Sequence, residues 1–137
     1  MRVLVDTNII LDFLLERDPF IREAEVLFEA MASQRVVGYV TATTVTDIFY
    51  IVRRQTRSIE RARQAVIETL AAMEVCTVDR SILETAITSN LRDFEDVVQL
   101  ACAIDNNLDA IITRYPQGFA GSILPILSAG QLLERLG

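Results

Sequence analysis

The chain has 137 residues, 51% of them hydrophobic and 23% charged, with a formal net charge of −6 and no histidine. That length fits one domain able to bury a core, and the composition excludes a disordered chain. The acidic balance argues against sequence-blind adhesion to nucleic acid, and the lack of histidine removes the usual serine and cysteine triads.

No apolar run approaches the roughly 18–20 residues of a membrane span. Arg2-Val3-Leu4-Val5 passes straight into Asp6, without the basic start and small-residue cleavage site of a signal peptide. Cys76 and Cys102 lie in apolar segments and read as reduced packing residues of a cytoplasmic protein.

Residues 3–5 predict a first strand, buried on both faces and ending on Asp6. Helices are expected over 8–15 and 22–31, with Asp18-Pro19 as the turn and start signal between them. A polar Ser33-Gln34-Arg35 turn enters a strand at 36–40. A helix capped by Thr43 or Thr44 follows over 43–52, although its β-branched residues also allow a strand at 45–52. Ser58 starts a clearer helix, with Ala62, Ala65, Val66, Thr69, Leu70 and Met73 at spacings of three and four. A strand at 75–78, helices at 81–88 and 93–104, and a strand at 109–113 come next. A loop rich in Pro, Gly and Gln leads to a small strand near Ile123-Leu124 and a final helix at 128–136. No repeat or linker divides residues 1–137, which are expected to form one domain. Strands alternating with helices imply an α/β fold with a mostly parallel sheet, whose sites form beyond the carboxyl ends of the strands. Asp6 and Thr113 stand at such ends.

Asp6 either points into that crevice or caps the next helix, and Asn8 either caps or orients a phosphate or water. Asp47 precedes Ile48-Phe49-Tyr50-Ile51-Val52, where a lone carboxylate costs on the order of several kcal/mol unless neutralised. A cation would neutralise it; the alternative is a place in the first helical turn, favoured by the dipole. In Asp93-Phe94-Glu95-Asp96, Asp93 suits an N-cap and Asp96 the third helical position. Asp96 is then the metal candidate, with Asp93 and Glu95 the more solvated acids. Without histidine a metal site must be built from oxygen, which suits Mg²⁺ or Mn²⁺. No glycine-rich nucleotide loop and no zinc-spaced cysteine pair is present. Arg53, Arg54, Arg57, Arg61 and Arg63 fall within eleven residues, and every basic residue is arginine. Such a cluster suits bidentate phosphate contacts or forms a solvated helix junction.

The run Val3-Leu4-Val5-Asp6-Thr7-Asn8-Ile9-Ile10-Leu11-Asp12 resembles the opening of PIN-domain ribonucleases, the fold of VapC-type toxins. Further matches follow in the family's order: Gly38-Tyr39-Val40-Thr41 through Asp47-Ile48-Phe49-Tyr50, Asp93-Phe94-Glu95-Asp96, then Ile111-Ile112-Thr113-Arg114. The resemblance spans essentially the whole chain. It implies a central parallel sheet flanked by helices on both faces, and an acidic pocket that holds Mg²⁺ or Mn²⁺ and cleaves RNA. Asp6, Asp47 and Asp96 fall on the family's metal-binding acids and Thr113 on a pocket hydroxyl. Asn8, Arg53, Arg54, Arg57 and Arg114 are the candidates for RNA contact. A small antitoxin protein is the implied partner, no membrane is involved, and a homodimer stays open.

Two departures stand out. Where many relatives have Asn, two residues, then Asp-Phe, this chain has Tyr115-Pro116-Gln117-Gly118-Phe119, so Tyr115 replaces the amide and Gly118 the fourth acid. Asp47 is one methylene shorter than the family's common Glu. The expectation is a weakened second metal position, slow cleavage, and a gain of activity on Gly118→Asp. The alternatives are a PIN-like module that binds RNA or protein without cutting, and an aspartyl-phosphate phosphatase of the haloacid dehalogenase type. The latter wants a second Asp where Asn8 stands.

Overall fold

Strand β1 (Arg2–Val5) sends Val3 and Val5 into one apolar cluster and Leu4 into another, so its alternation demands cover on both faces. The computed structural model, which describes residues 1–90 and 93–137, supplies that cover with helices. After β1 come α1 (Thr7–Leu14), α2 (Ile21–Ala32), β2 (Val37–Thr41), α3 (Ala42–Thr56), α4 (Ile59–Ala72) and β3 (Glu74–Cys76). Then follow α5 (Arg80–Ile87), α6 (Phe94–Asp105), β4 (Ala110–Ile112), a 3-10 turn (Pro116–Phe119), β5 (Ile126–Leu127) and α7 (Ala129–Leu136). The sheet is parallel throughout, in the order β3-β2-β1-β4-β5.

One face carries α1, α2, α3, α4 and α7 through Ile10, Leu27, Ile48, Ala62 and Leu132; the other carries α5 and α6 through Ile82 and Val98, with Phe119 beside them. Each fully buried Leu or Ile contributes about 1.5–3 kcal/mol. The strand order places the chain's reversal between β1 and β4, since β2 and β3 lie to one side of β1 and β4 and β5 to the other. Crevices at such switch points hold ligands in open α/β sheets. Val5 pairs with Ile112 and the Asp6 amide donates to the Ile112 carbonyl at 2.9 Å, which sets Asp6 and Thr113 side by side at that crevice.

Several elements differ from expectation. Helix α3 is capped by Thr41, whose hydroxyl accepts from the Thr44 amide at 3.1 Å, not by Thr43 or Thr44. It is a helix because Thr44, Ile48 and Val52, four apart, are its buried residues. Asp47 is therefore its sixth residue, past the first turn, and the dipole alternative fails. Tyr50, next to Phe49 on this helix, is 64% exposed. In α4, capped by Ser58 as expected, only Ala62, Ala65 and Thr69 are buried, while Leu70 faces outward. The last strand is Ile126–Leu127 rather than near Ile123-Leu124. Ser122 bonds both the amide and the carbonyl of Leu124 in a turn, and Ile123 is 82% exposed. Cys76 and Cys102 are free and buried; burial pushes their thiols up to about 11 and about 12, which keeps them unreactive packing groups. No helix among the described residues is long and apolar enough to cross a membrane.

Candidate active site

A cleft of about 370 Å³ opens at the β1–β4 switch point, and its lining includes Asp6, Asp47, Asp93, Glu95 and Asp96, with no basic residue among the described residues that line it. Three elements deliver these acids. Asp6 follows β1, Asp47 lies on α3, and the other three lie at the start of α6, where the helix's positive end favours them.

Asp6 has the backbone of an N-cap but makes no capping bond with its side chain. Its Oδ2 accepts from Thr113 Oγ1 at 2.8 Å and its Oδ1 from Gln99 Nε2 at 3.1 Å. Thr113 Oγ1 accepts in turn from the Tyr115 amide at 3.0 Å. Asp6 is thus aimed and fixed, and Thr113 is the hydroxyl that fixes it. Beside it a relay of threonine hydroxyls, Thr7 to Thr44 at 2.9 Å and Thr44 to Thr41 at 3.0 Å, ties the start of α1 to the start of α3. Asn8, on the first turn of α1, lines the cleft half-buried.

Asp93 caps α6 by accepting from the Glu95 and Asp96 amides, as its place in the sequence suggests. Glu95 departs from expectation. It is not a solvated acid but lines the cleft and hydrogen-bonds Asp47. Burial first, then that bond and the charges of Asp47, Asp93 and Asp6, push its carboxyl up to about 7. Burial, then Asp93 and Asp6, push Asp96 up to about 6. Glu95 therefore keeps its proton to higher pH than an ordinary Glu, held toward the Asp47 carboxylate beside it.

Gly118 also lines the cleft, but it leaves no vacancy for a fourth acid. A Cβ built on it would lie 2.5 Å from Asp96 Oδ2. The bare backbone of the 3-10 turn abuts Asp96, and the additional carboxyl in this cleft comes from Glu95 instead.

Arg114 is occupied elsewhere. Its Nε and NH2 donate to the two oxygens of Asp12 at 2.7 and 3.1 Å, its NH1 to Tyr115 Oη at 3.1 Å, and its guanidinium stacks 3.7 Å from the Phe20 ring centre. It does not line the cleft; it clamps α1 to the segment after β4, so its expected RNA contact would have to be made outside the cleft. Arg53, Arg54 and Arg57 are exposed at the far end of α3 and do not line the cleft either. Only Arg54 continues the face of Asp47 and Ile51, by spacings of four and three.

Sequence reasoning missed Glu95, Gln99 and Asp12. The signals were present: Gln99 is a polar residue three positions past Asp96 in an apolar helix, and Asp12 a carboxylate between Leu11 and Phe13.

The donors suit a hard divalent cation: carboxylates, Thr and Asn oxygens, and Gln99 Oε1, a buried oxygen with no hydrogen-bond partner among the described residues. No three acidic side chains among the described residues stand as a ready clasp for one ion; Glu95 turns toward Asp47 instead.

The PIN domain profile matches residues 2–114. No curated protein is significantly similar in sequence. Solved structures share the fold over nearly their whole length. VapBC2 from Rickettsia felis, bound to a promoter DNA fragment, is 14% identical with a TM-score of 0.68, over 93% of this chain and 98% of that one. A toxin–antitoxin complex from Klebsiella pneumoniae is 22% identical with a TM-score of 0.67, over 93% and 97%. VapC20 from Mycobacterium tuberculosis, described as a sarcin–ricin loop cleaving toxin, is 16% identical with a TM-score of 0.69, over 88% and 96%. The profile match takes in Asp6, Asp47, Asp96 and Thr113 and all the strands but the last, and on that match the chain belongs to the PIN domain family.

Proposed function

We propose that the protein is a Mg²⁺- or Mn²⁺-dependent endoribonuclease and the toxin of a toxin–antitoxin pair. The observation that carries this reading is the crowding of five carboxyl groups into one cleft, with no basic side chain among the described residues of its lining. Burial first, then the neighbouring acids, raise Glu95 and Asp96 above their ordinary range, a cost of ionisation that a divalent cation offsets. Asp6 and Asp96 would hold the ion, with Asp47 and Glu95 completing the donor set. When bound, the ion lowers the pKa of a water and offsets charge on the scissile phosphate. Thr113 and Gln99 keep Asp6 aimed at it, Asn8 offers an amide to the phosphate, and Arg54 extends the binding face along α3.

The antitoxin part rests on the neighbours' own complexes and on a second groove. That groove, of about 750 Å³, has an apolar floor including Phe13, Leu14, Phe28 and Val52, and Glu16, Glu25, Glu68 and Arg61 among its other lining residues. It suits an apolar segment with basic flanks. A PIN module that binds without cutting is the second reading, favoured by the lack of a ready clasp.

The test incubates RNA with the purified protein in Mn²⁺, in Mg²⁺ or in chelator. Cleavage is expected only with metal and is lost in Asp96→Asn. Saturating metal, at ~100 times its dissociation constant, should add about 2.7 kcal/mol of stability, most of it lost in Asp6→Asn. Cleavage that survives Asp96→Asn, or equal melting temperatures with metal and chelator, overturns the reading.

A further inference from the structure

We infer that Gln99 belongs to the metal site, its amide N–H holding Asp6 and its carbonyl oxygen accepting a hydrogen bond from the hydration shell of the bound cation. This rests on the proposed metal-dependent activity and goes beyond the acids that the family resemblance supplied.

Gln99 is 1% exposed, lies on α6 one turn after Asp96, and lines the acidic cleft. Its Nε2 donates to Asp6 Oδ1 at 3.1 Å, while Oε1 is buried with no partner among the described residues. The amide cannot be turned round: that would set two acceptors, Oε1 and a carboxylate oxygen, against each other. Buried acceptors in folded proteins are nearly always paired, so this oxygen awaits a donor. The acids around it are acceptors once ionised, and the Thr7 hydroxyl is engaged with Thr44. A water molecule is the donor that fits, and waters on a divalent cation are strongly polarised donors. A neutral carbonyl also serves where another carboxylate would add to the charge of the acids that line the cleft. Groups that orient a metal's ligands typically change its affinity about 10–100-fold when removed.

Mn²⁺ titration calorimetry on the full chain tests this, with the metal-free melting temperature of each variant measured beside it. Gln99→Met, of similar length, should bind Mn²⁺ about 10–100-fold more weakly. Gln99→Glu loses the donor to Asp6 and should melt lower without metal, yet it keeps an acceptor in place. It should recover affinity above Gln99→Met and show the largest Mn²⁺-induced rise in melting temperature. A purely structural Gln99 gives no such rescue. If Asp96→Asn abolishes binding while Gln99→Met binds like wild type, or Gln99→Glu binds no better than Gln99→Met, the inference fails and the metal reading stands. If wild type itself binds no Mn²⁺, both fall.

Discussion

Replacing Gly118 separates two accounts of this cleft. If glycine there were merely a lost acid, Gly118→Asp should raise activity. The structure gives the opposite expectation. An added Cβ would sit 2.5 Å from Asp96 Oδ2, where ordinary contact begins at 3.4 Å, so Asp96 or the 3-10 turn must give by about 0.9 Å. The φ of Gly118 is outside the left-handed region, so space rather than backbone freedom demands glycine. Relieving the clash by side-chain rotation costs about 0.5–1.5 kcal/mol, roughly 2–6 °C in melting temperature for a chain of this size. Catalysis is far more sensitive, since a displacement near 1 Å can cost about 100-fold in rate. Gly118→Ala is therefore expected to melt within a few degrees of wild type while cleaving RNA about 100-fold more slowly. Gly118→Asp should do no better, because its charge adds to the repulsion on Asp96. The assay is initial rate on a labelled RNA at saturating Mn²⁺, with melting temperature measured in parallel. Wild-type rates in Gly118→Ala, or faster cleavage in Gly118→Asp, would refute the steric account.

The pH dependence has a defined sign. Glu95 and Asp96 have folded pKa values of about 7 and about 6, above their ordinary values of 4.5 and 3.8, so the folded state binds more protons in those windows and metal-free stability falls as pH rises from about 4 to about 7. Melting curves in chelator should show that fall, reduced in Glu95→Gln; a slope equal in both proteins would exclude Glu95 as its source. Arg114→Met should cost about 3 kcal/mol, the low end for breaking a buried pair because Arg17 remains 3.7 Å from Asp12; a melting temperature within ~2 °C of wild type would contradict it. Arg54→Gln should flatten the salt dependence of RNA binding by about one phosphate contact, whereas Arg53→Gln, off the cleft face, should not; equal slopes for the two would show that the helix face does not guide RNA.

Much of the fold was legible because its signals are local. Alternation and apolar runs marked β1, β2 and β4, and Ser58, Asp93 and Ser128 each cap the helix that they precede in sequence. The errors came where a local signal was ambiguous. Thr41, Thr43 and Thr44 can all cap, and hydroxyl bonds among the three decide which one does. Ile123-Leu124 looks like a strand, but Pro125 sets the start of pairing, its carbonyl accepting from the Ile111 amide at 3.0 Å.

The site was legible as a requirement rather than as an arrangement. A carboxylate in an apolar setting needs a neutralising partner, and that rule marked Asp47 and applied equally to Asp12, while a strand end marked Asp6. What the sequence does not carry is which partner each acid finds. Asp6 is held by hydrogen bonds from Gln99 and Thr113, 93 and 107 residues away. Asp12, 1% exposed, is neutralised by Arg114, 102 residues away. Asp47 faces Glu95, whose carboxyl is raised to about 7 by burial and by that contact. Of these three solutions the first two are complete within the chain. The third is lost once Glu95 ionises, and on the proposed metal-dependent reading that is where a cation would enter, between Asp47, Glu95 and Asp96 and the pre-aimed Asp6. An acid already satisfied by arginine could not serve in that way, which is why Asp12, for all its burial, belongs to the scaffold and Asp47 to the site.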